Sequence, residues 1–123
     1  MRKYAKTHEW YEDLGGGQVR IGVSHHAAQQ LSDIVFVELP DNGKVIADKG
    51  SVCVLESVKA VSDVYAPGPG RIVGVNDALR DKPSLVNEDA EGLGWLVVFQ
   101  MDDPAALAGT MDPEDYLESI EKQ

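Results

Sequence analysis

The chain has 123 residues, 43% hydrophobic and 26% charged, with a formal net charge of −10. That is one domain's worth of ordinary globular sequence, enough for a core that needs neither disulfides nor metal. Acidity on this scale argues against nucleic-acid binding, which needs a basic face, and no apolar run approaches the roughly 20 residues of a membrane-spanning helix. The lone cysteine, Cys53, excludes an internal disulfide.

Met1-Arg2-Lys3-Tyr4-Ala5-Lys6 is basic but has no apolar segment after it. It is therefore no secretory signal, and it is too short for a transit peptide. Thr7-His8-Glu9-Trp10-Tyr11 reads as a first strand. Leu14-Gly15-Gly16-Gly17 breaks it, and Gln18-Val19-Arg20-Ile21-Gly22-Val23 alternates, so the two form a hairpin on a glycine turn. The glycines lack phosphate-loop spacing, and His8-Glu9 lacks the second histidine of a zinc helix. Ser24 is placed to cap a short helix running through Leu31. His25 and His26, adjacent on that helix, point about 100° apart, which argues against paired metal ligation and for surface or half-buried positions.

Asp33-Ile34-Val35-Phe36-Val37-Glu38-Leu39 is the strongest strand, and its near-continuous apolar run predicts burial on both faces. Pro40-Asp41-Asn42-Gly43 turns the chain, Lys44-Val45-Ile46 resumes the strand, and Asp48-Lys49-Gly50 turns it again. Val52 to Leu55 and Val61 to Tyr65 then make two β-branched or aromatic runs around Ser57-Val58-Lys59-Ala60. This predicts a hairpin, although no Asn-Gly or Asp-Gly marks the turn. Cys53 lies in the first run, which suits a buried inert thiol better than a reactive one; a reducing compartment is permitted. Lys59 at the tip has two readings: a solvated charge, the usual fate of a lysine, or an attachment point on a stiff support.

Leu39-Pro40-Asp41-Asn42-Gly43-Lys44-Val45-Ile46 and Ala66-Pro67-Gly68-Pro69-Gly70-Arg71-Ile72-Val73 share one pattern: apolar residue, Pro, two residues, Gly, base, two β-branched aliphatics. Two such turn–strand units around a central hairpin predict two sheets related by a pseudo-twofold. Leu79 to Val86, interrupted by Pro83, reads as an irregular connection, and Asn87 to Gly94 as an acidic, glycine-rich loop. Trp95 to Met101 is a buried strand, stopped by Asp102-Asp103-Pro104. Asp112 caps a final helix over 112–121, with Pro113 first and Glu114 and Asp115 in the first turn. Tyr116, Leu117 and Ile120 give it an apolar stripe. Residues 102–123 hold seven acids and one lysine, −6 of the −10; this end is either a solvated face or a partner surface.

No Ser, Cys or His constellation suggests a catalyst, and no Cys/His spacing suggests a metal site. Around Lys59, however, Glu56-Ser57-Val58-Lys59-Ala60-Val61-Ser62-Asp63 resembles the lipoyl-attachment segment of the glycine cleavage H-protein family. Lys6-Thr7-His8-Glu9-Trp10, Ile21-Gly22-Val23-Ser24, Asp33 to Pro40, Leu85-Val86-Asn87-Glu88-Asp89 and Gly94-Trp95-Leu96 resemble further segments in the family's order. Biotin carriers have methionine on both sides of the lysine; Val58 and Ala60 here favour lipoyl over biotin. Generic lipoyl domains usually have Asp before it, where this chain has Val58. Ser24 stands where the family usually has threonine, and Ser32 where it usually has glycine, a change that would alter the backbone if positive φ is needed there.

The resemblance implies a single lipoyl-carrier domain over 1–123. Its fold would be mainly β, a lipoyl/biotinyl-type β-sandwich (hybrid barrel-sandwich) with pseudo-twofold symmetry, a short helix in the N-terminal part and a C-terminal helix. It implies lipoic acid in amide linkage on Lys59, with Glu56, Ser57, Val58 and Ala60 as the recognition segment. It implies a carrier, not an enzyme, that takes the aminomethyl group of glycine from a pyridoxal-phosphate glycine decarboxylase (P protein) to a tetrahydrofolate-dependent aminomethyltransferase (T protein). Dihydrolipoamide dehydrogenase (L protein) reoxidises the dithiol, and a lipoate ligase or octanoyl/lipoyl transferase loads the lysine. In the family the loaded arm folds into a cleft on the carrier, and motif match places Thr7, Glu9 and Asp63 near it; the other reading of Glu9 and Asp63 is solvated strand residues. Two alternatives stay open, a relay that donates lipoate to 2-oxoacid dehydrogenases and an unmodified structural adaptor. A start at Met1 without a presequence points to bacterial cytoplasm, against the mitochondrial matrix for a eukaryotic mature chain.

Overall fold

The computed structural model describes residues 2–121; Met1, Lys122 and Gln123 lie outside the described residues. Among the described residues nine strands form two antiparallel sheets. Strands β1 (Arg2–Tyr4), β2 (Glu9–Gly15), β3 (Gln18–Val23), β5 (Val45–Ile46), β8 (Gly70–Val75) and β9 (Val97–Met101) form one, in the order β1-β2-β3-β9-β8-β5. Strands β4 (Ile34–Glu38), β6 (Ser51–Ser57) and β7 (Val61–Tyr65) form the other, in the order β4-β6-β7. The core between them holds inward residues of both, Val19, Ile21, Ile72 and Phe99 on one side and Val37, Leu55 and Val64 on the other. Burying a side chain such as Leu55 completely is worth about 2 kcal/mol of transfer free energy.

The expected β-sandwich and its two helices are present, and several expectations need correcting. The first strand begins at Glu9, not Thr7, because His8 turns the chain with φ 77°. It continues through Leu14 and Gly15, so the turn to β3 is Gly16-Gly17, both at positive φ. The basic N-terminal stretch is itself an edge strand, Lys3 pairing with Tyr11. Its short length and charge hid it from a periodicity test.

The run Asp33 to Leu39 is not buried on both faces. Ile34 and Val37 point into the core, while Val35 and Phe36 are 56% and 51% exposed. A β-bulge between Ile34 and Phe36 breaks the alternation and turns both outward. The Leu79–Val86 connection contains two one-turn helices, α2 (Ala78–Asp81) and α3 (Leu85–Glu88), too short for a 3.6-residue period to register. The repeat copies lie side by side in the six-stranded sheet: Val45 pairs with Arg71 and Ile46 with Gly70. As antiparallel neighbours the two copies are related by a local twofold.

Helix α1 (His25–Leu31) starts as expected, the Ala27 N–H donating to Ser24 Oγ at 3.1 Å. It ends at Ser32, whose φ of 64° and ψ of −156° fall in a region nearly reserved for glycine. The suspected need for positive φ at this position is therefore real. Asn87 pins the strained residue, donating to the Ser32 carbonyl at 2.7 Å while its Oδ1 accepts from the Ile34 N–H at 2.9 Å.

A 3-10 turn (Pro104–Gly109) leads to α4 (Pro113–Glu121). Of the expected stripe, Tyr116 is buried and Ile120 packs behind it, but Leu117 is 56% exposed. Tyr116 stacks on Tyr4 at 4.5 Å, and with Trp10 these form a second, aromatic cluster. Trp10 also explains Gly22: a Cβ there would lie 2.5 Å from the indole.

Candidate functional site

Lys59 sits at the end of the β6–β7 hairpin, and Val58, Lys59 and Ala60 are all exposed. The Ser57 N–H donates to the Ala60 carbonyl at 2.8 Å, closing the turn. Ser57 Oγ accepts from the Ala60 N–H at 3.0 Å and from the Lys59 N–H at 3.3 Å. No residue of the turn adopts positive φ, so it needs no Asn-Gly, which explains the missing signal. The Val58 N–H donates to the Asp33 carbonyl at 3.1 Å, tying the tip to the start of β4. Lys59 makes no salt bridge among the described residues.

Beside the hairpin a groove of about 200 Å³ brings Thr7 and Glu9 together with Asp63, which is far from both in sequence. Glu9 is 2% exposed, which rules out a solvated strand residue. One of its carboxylate oxygens accepts from Thr7 Oγ1 and the other from the Tyr65 N–H at 3.0 Å. Asp63 is exposed, and its Oδ1 accepts from Ser51 Oγ at 2.9 Å. Asp63 lies on β7, two strand residues (about 7 Å) past Val61, the first residue after the turn.

Sequence reading missed the groove's other wall. Val23 at the end of β3 lines it together with His26, Ala27, Gln30 and Leu31 of α1, and these four share one helix face at i, i+1, i+4, i+5, which the spacing alone could have revealed. His26 is half-buried and His25 exposed, as expected. His8 also lines the groove, 5.0 Å from the His26 ring. Burial, then the neighbouring His26, lowers the His8 pKa from its ordinary value. Its Nδ1 lies 2.6 Å from the Tyr116 hydroxyl, which is also 2.7 Å from Ser24 Oγ, so α4 braces the groove from behind.

The acidic loop is structural as well. Glu91 accepts from Arg2, from the Tyr4 hydroxyl and from the His25 N–H at the start of α1, where a negative charge is favoured. Cys53 is 3% exposed, and burial pushes its thiol up to about 12. Among the described residues no group of three His, Cys, Asp or Glu side chains could hold a metal ion, and no helix is long and apolar enough to cross a membrane.

The family model for the glycine cleavage H-protein matches residues 2–123. The chain belongs to the glycine cleavage H-protein family. It is similar to the glycine cleavage system H protein of Alteromonas mediterranea, 49% identical over 121 residues, covering 98% of this chain and 94% of that one. The corresponding protein of Pseudoalteromonas atlantica is 50% identical over the same length and coverage. A crystal structure of a glycine cleavage system H protein from Mycobacterium marinum is similar in fold, with a TM-score of 0.85 at 36% identity, covering 98% of this chain and 96% of that one. The family match and the structural likeness both agree with the β-sandwich described above.

Proposed function

We propose that Lys59 carries lipoic acid in amide linkage, and that through it the chain serves as the carrier of the glycine cleavage system. It hands the aminomethyl group of glycine from the P protein to the T protein and meets the L protein for reoxidation. It is a carrier and not a catalyst, in keeping with the family. The observation that carries the assignment is a lysine in the middle of three exposed turn residues, without an ion pair among the described residues, in a chain of this family.

The residues present suit the cofactor. Exposed Val58 and Ala60 leave the approach to the amine open, and the groove beside β7 offers a berth within the reach of a long flexible arm. Lipoic acid supplies a dithiolane that accepts a carbon group on sulfur as its disulfide is reduced. Asp63 places an open carboxylate at the groove's rim for a cargo amine. Glu9, already held by Thr7 and the Tyr65 backbone, keeps a second carboxylate fixed behind it. Glu56, Ser57, Val58 and Ala60 form the segment read by the lipoate ligase or octanoyl/lipoyl transferase, and bacterial cytoplasm is the proposed location. Tethering lets each partner find the arm at high effective concentration without tight docking.

Intact-mass comparison of wild type and Lys59→Arg, after incubation with a lipoate ligase, lipoic acid and ATP, tests the assignment. One lipoyl adduct on wild type and none on a folded Lys59→Arg is the expected result. No adduct on folded wild type would overturn it. Glycine–bicarbonate exchange with the P protein then separates a glycine-cleavage carrier from a relay.

A further inference from the structure

The outward face of the three-stranded sheet carries an apolar patch around Lys59. Val35, Phe36, Val58 and Val61 are 56%, 51%, 65% and 68% exposed. The register makes it continuous. Phe36 pairs with Glu56 and Glu56 with Val61, a row at the turn end of the sheet. The next row is Glu38, Val54 and Asp63. The bulge that turns Val35 and Phe36 out together, and the bond from the Val58 N–H to Asp33, bring β4's apolar residues beside the turn. Scattered exposed apolar residues are ordinary; four gathered around one lysine mark an interaction surface. Glu38, Glu56 and Asp63 share this face and make no ion pair among the described residues.

We propose that this face, with Val35 and Phe36 at its centre, is where the enzyme that attaches lipoate to Lys59 docks, through an apolar contact surface rimmed by lysine or arginine. The proposal rests on the attachment reading above and adds to it a strand more than 20 residues away in sequence. Reach selects this partner. The attaching enzyme must bring an activated carboxyl into bonding contact with Nζ itself, so it has to seat within a lysine side chain's length of the tip. Cross-strand neighbours are about 5 Å apart, so the Phe36–Glu56–Val61 row spans only about 10 Å. Partners that act on the finished arm have its added length and can seat elsewhere. Charge selects the rim: three unpaired carboxylates on a chain of net charge −10 complement and steer a basic surface.

The reaction served is an acyl transfer. The lipoate carboxylate attacks the α-phosphorus of ATP, and pyrophosphate leaves. Nζ then attacks the acyl carbon and loses a proton; AMP departs with the C–O electron pair, leaving the amide.

Steady-state lipoylation of the apo-protein by a lipoate ligase tests this, using Phe36→Ser, Val35→Ser and Glu38→Lys. Val45→Ser, 79% exposed and on the other sheet, is the control. The expected result is a rise in KM for the apo-protein of about tenfold for Phe36→Ser and severalfold for the other two. The control, kcat and melting temperature stay unchanged. Each variant, lipoylated to completion, should support wild-type glycine–bicarbonate exchange. KM within twofold of wild type for both Phe36→Ser and Val35→Ser overturns the proposal. So does an equal loss in the exchange assay, which would give the face to the decarboxylase. A wild type that takes no lipoyl group sinks the attachment reading, and this proposal with it, whereas adduct formation at unchanged KM sinks this proposal alone.

Discussion

The hairpin tip and the groove beside it are built in opposite ways. The tip is local: Ser57 to Ala60 close it with bonds among themselves and one to Asp33. The groove is assembled from the 7–9 turn, α1 and β7, and its polar groups are also structural ties. Glu9 joins Thr7 to β7, and His8 joins the groove to α4 through Tyr116. The tip is thus kept free of structural duty, while the groove is part of what holds the fold. Substitutions at the tip should change recognition and spare stability; substitutions in the groove should do the reverse.

The sharpest break of that contrast would come from Glu9→Ala. It removes a buried side chain and takes the partner from the part-buried Tyr65 N–H, which should cost about 2 kcal/mol in urea unfolding. An effect under about 0.5 kcal/mol would mean the groove is not a structural tie. Ser32→Gly should act in the other direction. Removing the Cβ from a residue at φ 64° and ψ −156° should stabilise by about 1.5 kcal/mol, seen as a higher melting temperature. Tyr116→Phe removes the hydroxyl shared by His8 and Ser24 and should cost about 1 kcal/mol without altering lipoylation of Lys59. Ser57→Ala, at the tip, should cost less than about 0.5 kcal/mol because the freed N–H groups meet water; its effect should appear instead as slower lipoylation.

The smallest effect is a pH slope. The folded-state pKa of His8 lies below its ordinary value, so the unfolded chain takes up that proton first. Stability should therefore fall as pH drops below about 6.5 and level off below the folded value. His8→Asn, which tolerates the left-handed backbone, should flatten that part of the profile in urea titrations at pH 5 to 7.5.

How legible each region was follows from the same contrast. The hairpin, the Ser24 cap and the terminal helix depend on neighbours in sequence, and pattern alone found them; for Lys59, pattern gave its place at the tip and resemblance gave the attachment reading. Thr7, Glu9 and Asp63 came from motif resemblance, and nothing in their spacing could say that Glu9 is buried. That depends on a β7 amide 56 residues away. Val35 and Phe36 were misread for a related reason: a bulge is a two-strand event, and one strand's composition does not record it. The helix face through His26 and Gln30 was legible by spacing and was overlooked because the adjacent histidines were tested only as metal ligands.

The burial of Cys53 bears on redox traffic. A carrier of a dithiol that also had a reactive thiol could capture its own cargo as a mixed disulfide, since thiolates attack disulfides and thiols do not. Cys53 is the chain's only cysteine, and it lies on β6, the strand that runs up to the Lys59 turn. Packed inside the core with its thiol pushed up to about 12, it stays protonated and out of reach. If the proposed dithiol rides on Lys59, the scaffold offers it no reactive thiol with which to exchange.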